Sequence, residues 1–181
     1  IGGTSRLVSK QFNCKVIGID LAGQFIKAAK FLTQQTKLEN NVTFQQGSIL
    51  DLPFEDQTFD TILCQHILMN IKDKVTAIKE FFRVLKNNGT LILHEITKGE
   101  NDMLLLPVPW AGKKDISFLE PWENISIILE NSGFQSQFYS DESQAACLWN
   151  KKVKAFSQKR KYSPKSLDPT LIFGDAAKVF G

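Results

Sequence analysis

The sequence predicts an α/β protein built on a doubly wound, mostly parallel sheet. Short apolar runs rich in β-branched residues alternate along the chain with amphipathic segments of helical periodicity. The run at 59–65 is almost continuously apolar, which is typical of a parallel strand covered on both faces. Alternating strands and helices assemble into a parallel sheet through right-handed crossovers. The length of 181 residues suits one domain, so we predict a single domain over residues 1–181.

The first half of the chain carries the clearest local signals. A first helix is predicted to be capped by Thr4, or by Thr4 and Ser5, because both residue types are favoured N-caps. A second helix is predicted at 22–38, where apolar residues recur at helical spacing until Asn40 interrupts the pattern. The remaining elements of this half are predicted as strands at 15–20, 42–49, 59–65 and 90–93 and a helix at 74–86.

The second half is less regular. Pro107 and Pro109 impose extended backbone within 100–122, which we predict to be a substrate or lid loop. Pro121 is predicted at the first turn of a helix that ends at Gly133. Further predicted elements are a strand at 134–139, a basic helix at 144–162 and a short helix at 175–180.

Composition excludes several classes of partner. The net charge of +3 is too small to predict nucleic-acid binding, and we interpret the basic run at 151–165 as a solvated helix face. No apolar run approaches the ~18 residues that a membrane span requires. The three cysteines form no C-x-x-C pair, so neither a zinc site nor a disulfide framework is predicted, and a reducing cytoplasm is the expected location. The sequence leaves open whether the protein forms a homodimer.

Residues at the carboxyl ends of the strands are the candidates for ligand binding, because doubly wound sheets bind ligands there. Gly2 and Gly3 open the first helix, where the missing side chains let a ligand approach the backbone amides. Asp20 ends the next strand, with Leu21 beside it, and its carboxylate can accept hydrogen bonds from both hydroxyls of a ribose. A helix N-cap is the alternative role for Asp20. The ribose role is favoured because the flanking strand and helix also fit it.

Two motifs in the chain are more specific than these strand ends. The segment 47–54 reads Gly-Ser-Ile-Leu-Asp-Leu-Pro-Phe, and the segment 83–95 reads Arg-Val-Leu-Lys-Asn-Asn-Gly-Thr-Leu-Ile-Leu-His-Glu. With the paired glycines and Asp20 upstream, this series resembles the class I S-adenosylmethionine-dependent methyltransferases over residues 1–95. The resemblance implies a Rossmann-like sheet, S-adenosyl-L-methionine as cofactor and S-adenosyl-L-homocysteine as product.

The resemblance also assigns residues to the cofactor. In the family, an acid at the end of the third strand holds the adenine amine and the next backbone amide meets the ring. Ser48 and Ile49 occupy these positions here, and a neutral hydroxyl accepts a hydrogen bond that is weaker by about 1 kcal/mol. Gln65 is a candidate for ordering the methionine end of the cofactor or the substrate. The expected cofactor-binding residues are Gly2, Gly3, Asp20, Leu21, Ser48, Ile49 and Gln65.

Parts of the family pattern are missing from this chain. The first family motif reads Asp-x-Gly-x-Gly-x-Gly-Gly after a strand, and only its last two glycines are present, as Gly2 and Gly3. Without that central strand, two inner strands would carry unpaired backbone groups at a cost of ~1 to 3 kcal/mol each. We therefore expect a longer protein with an N-terminal strand and cap helices. The final antiparallel strand of the family is also expected to lie outside this sequence.

The segments 65–70 and 107–119 are similar to a branch of the family that contains ubiquinone-biosynthesis and glycine/sarcosine-type methyltransferases. This similarity implies a small-molecule substrate with a nucleophilic N, O or C atom. Methyl transfer is an in-line displacement, in which the enzyme mainly aligns the reactants and excludes water. A general base is needed only where the nucleophile starts protonated.

His66 is the candidate catalytic base, because a neutral imidazole can accept a proton near neutral pH. A histidine that packs under a lid or bonds to the backbone is an alternative of equal weight. We expect substrate contacts from His66, Asn70 and Trp110, and we predict no metal site. His94 and Glu95 are neighbours at the end of one strand, so only one of them can face a given side of the sheet.

Three alternatives to this function remain. A nicotinamide-dependent dehydrogenase would explain the paired glycines and Asp20, but it leaves the segments 47–54 and 83–95 unexplained. A non-catalytic chain that keeps the fold but has lost cofactor binding is compatible with Ser48 and with the incomplete glycine motif. Such a chain would not be stabilised by S-adenosyl-L-homocysteine. A nucleic-acid methyltransferase is supported only by the basic run at 151–165.

Overall fold

A computed structural model of the protein describes residues 1–99 and 106–159. The chain divides into two compact units. The first unit comprises Ile1–Leu63 and Asp73–Leu93, and the second comprises Cys64–Lys72 and the chain from His94 onward. The single domain over 1–181 stays a prediction.

The first unit contains most of the regular structure. Its elements in chain order are α1 (Gly3–Phe12), β1 (Val16–Asp20), α2 (Gly23–Gln35), β2 (Val42–Gln46), β3 (Phe59–Gln65), α3 (Lys74–Val84) and β4 (Leu85–His94). The last residues of β3 and of β4 belong to the second unit. Strands and helices therefore alternate as the sequence predicts, and the α/β class is confirmed by the structure.

Strands β1 and β2 run parallel and end side by side. Their register pairs Val16 with Val42 at one end and Asp20 with Gln46 at the other. Beyond the register, Gly47 N donates to Asp20 O at 3.1 Å. The residues that follow β1 and β2 are thus held next to each other.

The ring of Phe44 determines how this strand pair packs. Phe44 is buried and lies opposite Gly18 in the register, where a Cβ on residue 18 would come within 2.5 Å of the ring. The same ring also meets Gly2, ahead of α1. Phe44 joins Ile26 and Ala29 of α2 in one buried cluster. The Phe44 ring therefore packs α2 against the strand pair and also lies against Gly2, the N-cap residue of α1.

Strands β3 and β4 form a second parallel pair. Thr58 N donates to Val84 O at 2.8 Å and His66 N donates to His94 O at 2.9 Å, so partner numbers rise together along both strands. Within the described residues, β1–β2 and β3–β4 are separate two-stranded sheets. A further strand between them, as expected from the sequence, stays a prediction.

Arg83 on α3 ties the helix to the segment that follows β2. Its guanidinium donates to Leu52 O at 2.9 Å, to Phe54 O at 2.7 Å and to Asp56 Oδ1 at 2.9 Å. Glu80, one turn earlier, accepts from Arg83 at 2.8 Å and from Leu52 N at 2.7 Å. The hydrogen bonds to Glu80 and Asp56 raise the pKa of Arg83, and the bond from Arg83 is the main cause that lowers the pKa of Glu80.

The second unit consists mainly of loops and two helices. Its regular elements are a 3₁₀ turn at Leu68–Asn70, another at Lys114–Ile116, and the helices α4 (Trp122–Asn131) and α5 (Ser143–Lys159). Phe118 N donates to Met69 O at 2.8 Å, and Lys98 N donates to Glu120 O at 2.9 Å. These backbone bonds fix the segment before α4 to the chain near the ends of β3 and β4.

Several predicted element ends in the first half are corrected. Helix α1 begins at Gly3, because Gly2 is its N-cap with a left-handed φ of 72° and meets Phe44, so Thr4 is not the cap. Helix α2 ends at Gln35 instead of residue 38. The reason is a left-handed Lys37, with φ 56°, after which Leu38 N bonds back to Thr33 O. Strand β2 ends at Gln46, because a turn follows it.

The later boundaries also differ from the predictions. Helix α3 ends at Val84 and β4 begins at Leu85, because Arg83 O and Val84 O accept from the backbone ahead of β3. The strand predicted at 134–139 is wrong: this segment forms no ladder, and Tyr139 stacks on Trp122 at 4.8 Å. Helix α5 confirms the described part of the helix predicted at 144–162. The helix predicted at 175–180 lies outside the described residues.

No helix in the part of the chain that the structure describes is both long and apolar enough to cross a lipid bilayer.

The contact between Gly18 and Phe44 gives a stability prediction. Gly18→Ala should lower the free energy of unfolding by about 1–3 kcal/mol, because the new methyl group overlaps the buried ring. Urea denaturation followed by circular dichroism measures this change. Gly3→Ala is the matched control, since a Cβ at residue 3 meets no atom within 4 Å. Equal stability of the Gly18→Ala variant and the wild type would contradict the packing.

Candidate functional site

Asp20 lies at the carboxyl end of β1 with its side chain turned back to the following backbone. Its Oδ1 accepts a hydrogen bond from Ala22 N at 2.8 Å, which closes a turn just before α2. The N-cap of α2 is Ala22, so Asp20 shapes the approach to the helix without being its N-cap residue. A carboxylate offers about four lone-pair positions, and the bond from Ala22 uses one of them. Acceptor capacity for a ligand therefore remains at Asp20.

Leu21 follows Asp20 and presents its side chain to solvent, with 72% of the residue exposed. Its carbonyl oxygen accepts from Gln46 Nε2 at 2.9 Å. The Gln46 side chain also lies across Gly23, where a Cβ would be 2.9 Å from Oε1. Gln46 is not among the site residues predicted from the sequence, because the predicted strand runs to residue 49 and its end is therefore placed beyond Gln46.

Ser48 begins a tight turn after β2. Its Oγ accepts from Leu50 N at 3.1 Å, and its carbonyl oxygen accepts from Asp51 N at 3.3 Å. The turn places Ile49 and Leu50 at its tip, and Leu50 is 38% exposed. The Ser48 hydroxyl thus supports the turn and keeps its own proton to donate.

The N-terminus of α1 is packed on the same strand pair. Gly2 meets the Phe44 ring and the Arg6 guanidinium, so this position has no room for a side chain. Gly3 borders open space. Gly2 is the N-cap residue of α1 and makes no side-chain capping bond.

These contacts bring together the residues that the sequence predicts for the cofactor in the first unit. Asp20 and Leu21 end β1, the Ser48–Asp51 turn follows β2, and Gly47 joins the two ends. Gly2 reaches the same pair of strands through Phe44. The remaining predicted residues, from Gln65 onward, belong to the second unit.

In the second unit, Gln65 and His66 lie against His94. Gln65 Nε2 is 3.3 Å from His94 Nδ1, and the two imidazole rings are 4.6 Å apart between centroids. His66 has a left-handed φ of 54°, which is uncommon for a residue with a Cβ. The bond from His66 N to His94 O holds this backbone in place. The two histidines therefore form one exposed pair at the ends of β3 and β4.

The environment of His66 lowers its pKa below the ordinary value of 6.5. Partial burial is the main cause, and the positive charge of His94 acts in the same direction. The carboxylate of Glu95 opposes both effects. His66 is consequently neutral to lower pH than a free histidine, which is the state that accepts a proton.

The Glu95 side chain binds the backbone after β3. Its carboxylate accepts from Ile67 N at 3.0 Å and from Leu68 N at 3.1 Å. Cys64 Sγ donates to Oε1 at 3.2 Å. Burial, followed by the charge and the hydrogen bond of Glu95, raises the pKa of Cys64, so this thiol is not an activated nucleophile.

Asn70 and Trp110 occupy ordered backbone in the second unit. Asn70 ends the 3₁₀ turn, with its N–H donating to Ile67 O at 2.9 Å, and its side chain is exposed. Trp110 Nε1 donates to Ser117 Oγ at 3.0 Å, which fixes the indole. The bond from Phe118 N to Met69 O connects the segment of Trp110 with the turn that carries Asn70.

Among the residues that the structure describes, no group of three or more His, Cys, Asp or Glu side chains is placed to hold a metal ion. Three of the predicted polar side chains instead have partners within the chain. Asp20 bonds to Ala22, Ser48 bonds to Leu50, and Gln65 contacts His94.

Comparison with known proteins identifies the family. The profile of the family described as methyltransferase domain matches residues 3–157. Ajmaline N-methyltransferase of Rauvolfia serpentina is 34% identical over 93 residues, which cover 51% of this chain and 32% of that protein. Demethylmenaquinone methyltransferase of Lactiplantibacillus plantarum is 31% identical over 100 residues, or 55% of this chain and 42% of that protein. The matches thus span less than half the length of these relatives.

A solved structure gives the same fold over nearly the whole chain. Phosphoethanolamine N-methyltransferase 2 of Haemonchus contortus, in complex with S-adenosyl-L-methionine, matches 99% of this chain and 41% of that chain with a TM-score of 0.82. The sequence identity is 16%, so this likeness concerns the fold alone.

The lowered pKa of His66 can be tested by its titration. In the folded chain, the His66 ring should titrate below its midpoint in urea, because burial and His94 disfavour the charged ring. Protonation then favours the unfolded chain. The contribution of His66 to stability is therefore lost as the pH falls from the ordinary pKa of histidine toward the lower pKa of His66 in the folded chain. Histidine-labelled NMR spectra, assigned with His66→Gln, measure both midpoints. Identical midpoints would contradict the assigned environment.

Proposed function

Because the chain belongs to the methyltransferase domain family, we propose that it transfers a methyl group from S-adenosyl-L-methionine to a small molecule. The observation that carries the proposal is the joining of the β1 and β2 ends, where Asp20 lies next to the turn that begins at Ser48. A carboxylate with acceptor capacity beside a polar turn suits a nucleoside, which offers ribose hydroxyls and an amino group as donors.

Asp20 is the proposed ribose ligand. The Ala22 amide holds its Oδ1, which fixes the orientation of the carboxylate. A fixed carboxylate can accept from two neighbouring hydroxyls without losing further side-chain freedom. The exposed Leu21 side chain is proposed to cover the nucleoside from the same strand end.

Ser48 and Ile49 are the proposed adenine contacts. The Ser48 oxygen already accepts from Leu50 N, and a hydroxyl oxygen has a second lone pair for the adenine amine. That bond is neutral and therefore weaker than one to a carboxylate. We propose that adenine binding in this protein relies on the Ile49 amide and on packing more than on the bond to Ser48.

Gly2, Gly3 and Gln65 are proposed to bind the remainder of the cofactor. The open space beside Gly3 permits a ligand to reach the first-turn amides of α1, which favour negative charge such as a carboxylate. Gln65 offers an amide on a side chain that already rests on His94. S-adenosyl-L-methionine supplies an activated methyl group on a sulfonium sulfur.

His66 is the proposed general base where the substrate nucleophile starts protonated. Its ring is exposed, and its lowered pKa keeps it neutral near pH 7. Asn70 and Trp110 are the proposed substrate contacts, the first as a polar side chain and the second as a fixed aromatic face.

The proposed substrate is a small amine or a hydroxylated ring. One relative is named for N-methylation of ajmaline and another for methylation of demethylmenaquinone, and the proposal takes an amine from the first and a quinone precursor from the second. The three cysteines are free, which suits the reducing cytoplasm as the proposed location. Transfer of a radiolabelled methyl group to panels of secondary amines and hydroquinones tests the substrate class.

Binding of S-adenosyl-L-homocysteine tests the cofactor proposal. Asp20→Asn keeps an acceptor for Ala22 but removes the charge, so affinity should fall about 10- to 100-fold as charge-assisted hydrogen bonds are lost. Isothermal titration calorimetry measures the change. Asp60→Asn is the matched control, because Asp60 is exposed and pairs with Lys86.

Unchanged affinity in Asp20→Asn would remove Asp20 from the site. Absence of binding by the wild type itself would favour a chain that keeps the fold without using the cofactor.

Ser48→Asp should strengthen cofactor binding. The new carboxylate can still accept from Leu50 N and close the turn, while offering the adenine amine a charged acceptor. We expect the dissociation constant of S-adenosyl-L-homocysteine to fall about fivefold, which corresponds to ~1 kcal/mol. Calorimetry with S-inosyl-L-homocysteine, which lacks the amine, is the control. An equal gain for both ligands would place the effect elsewhere.

A further inference from the structure

The carboxylate of Glu95 is enclosed by donors from the segment after β3. Two backbone amides, of Ile67 and Leu68, donate to it at 3.0–3.1 Å, and the buried Cys64 thiol donates at 3.2 Å. Ile67 is the N-cap of the 3₁₀ turn and makes no side-chain capping bond of its own. Glu95 therefore satisfies, from the neighbouring strand, amides that the turn leaves without an internal partner.

The segment held in this way carries two residues of the proposed site. His66 directly precedes Ile67 and has a left-handed φ of 54°, a conformation that needs support from its surroundings. Asn70 ends the same turn and donates back to Ile67 O. Any shift of the Ile67 backbone would therefore move both side chains.

We propose that Glu95 is a positioning residue, whose carboxylate holds residues 66–70 in the shape that presents His66 and Asn70 to the substrate. The proposal rests on the function proposed above for His66 and Asn70. Glu95 acts through the backbone of Ile67 and Leu68, and it is not itself the proton acceptor.

The geometry separates the two neighbours at the end of β4. His94 contacts Gln65 and His66, whereas the Glu95 carboxylate binds Cys64 and the two amides. Three donors leave the carboxylate poorly disposed to take a proton from a substrate. The role of Glu95 is thus to fix backbone, while the histidines remain exposed.

Glu95 also acts on His66 through its charge. Among the described residues, the titratable groups that influence His66 are His94, which disfavours the protonated ring, and Glu95, which favours it. Replacing either group should therefore displace the His66 titration, and the two displacements should have opposite signs. A purely structural role for Glu95 would not produce this pair of opposite shifts.

Three variants separate hydrogen bonding from charge. Glu95→Gln can keep its amide oxygen on the Ile67 and Leu68 side while its NH₂ faces the Cys64 sulfur, a weak acceptor. Glu95→Ala removes the acceptor as well as the charge. Cys64→Ser is the matched control, because it retains a donor to Glu95 and leaves both amides untouched.

Amide hydrogen exchange of Ile67 and Leu68 measures how strongly the Glu95 carboxylate restrains residues 66–70. Glu95→Ala should speed exchange of both amides about fivefold or more, and Glu95→Gln should restore exchange close to the wild-type rate. Cys64→Ser should exchange like the wild type. Unchanged exchange in Glu95→Ala, with helix content intact by circular dichroism, would overturn the proposal. If Glu95→Ala does not fold, the Glu95→Gln variant decides: a lower His66 midpoint supports the proposal, and an unchanged midpoint overturns it.

NMR titration of His66 supplies the second readout. Glu95→Gln should move the His66 midpoint to lower pH, and His94→Gln should move it to higher pH. A His66 midpoint unaffected by Glu95→Gln would overturn the proposed charge coupling. Neither readout requires a ligand, so failure of wild-type S-adenosyl-L-homocysteine binding would count against the proposed function alone.

Discussion

The hydrogen bonds of the Arg83 guanidinium are the interaction on which the arrangement of the first unit depends. It binds the carbonyl oxygens of Leu52 and Phe54 and shares Glu80 with the Leu52 amide, so the chain between β2 and β3 is tied to α3 at several atoms. A planar fork with five donors can make these bonds at once, which a lysine cannot. Leu52, which directly follows the Ser48–Asp51 turn, is thereby anchored to α3. Strand β3 begins beside the end of the same helix.

A second constraint acts at the strand ends, where polar side chains form hydrogen bonds with the backbone of the chain itself. Asp20 uses one acceptor position for Ala22, whereas Glu95 is enclosed by three donors. The difference suits the roles proposed for them: a carboxylate with remaining lone pairs has acceptors for a ribose, whereas an enclosed carboxylate is occupied by its loop. Ser48 lies between these cases, since its hydroxyl supports a turn and still has one proton to donate.

Much of the fold, and the places in it of the first unit's candidate residues, were predictable because the signals are local. Apolar runs and helical periodicity predicted the strands β1 to β4 and the helices α1 to α3 of the described residues, and Asp20 and Ser48 were assigned to strand ends from the sequence. The predicted boundaries were wrong where backbone hydrogen bonds to residues distant in sequence determine the end of an element. Helix α3 stops at Val84 because its last carbonyls accept from the chain before β3, which no local pattern contains. The strand predicted at 134–139 failed because an extended run requires a partner strand.

The sequence by itself determined the family and the residue types available at the strand ends, because motif order and periodicity are properties of the chain. Only the tertiary structure decided which partner each polar group has. The neighbours His94 and Glu95 were indistinguishable in sequence, yet one contacts His66 while the other binds the Ile67 amide. Hydrogen bonds have short reach and strict geometry, so their pairing depends on how β3 and β4 are brought together, and that information is not carried by either segment alone.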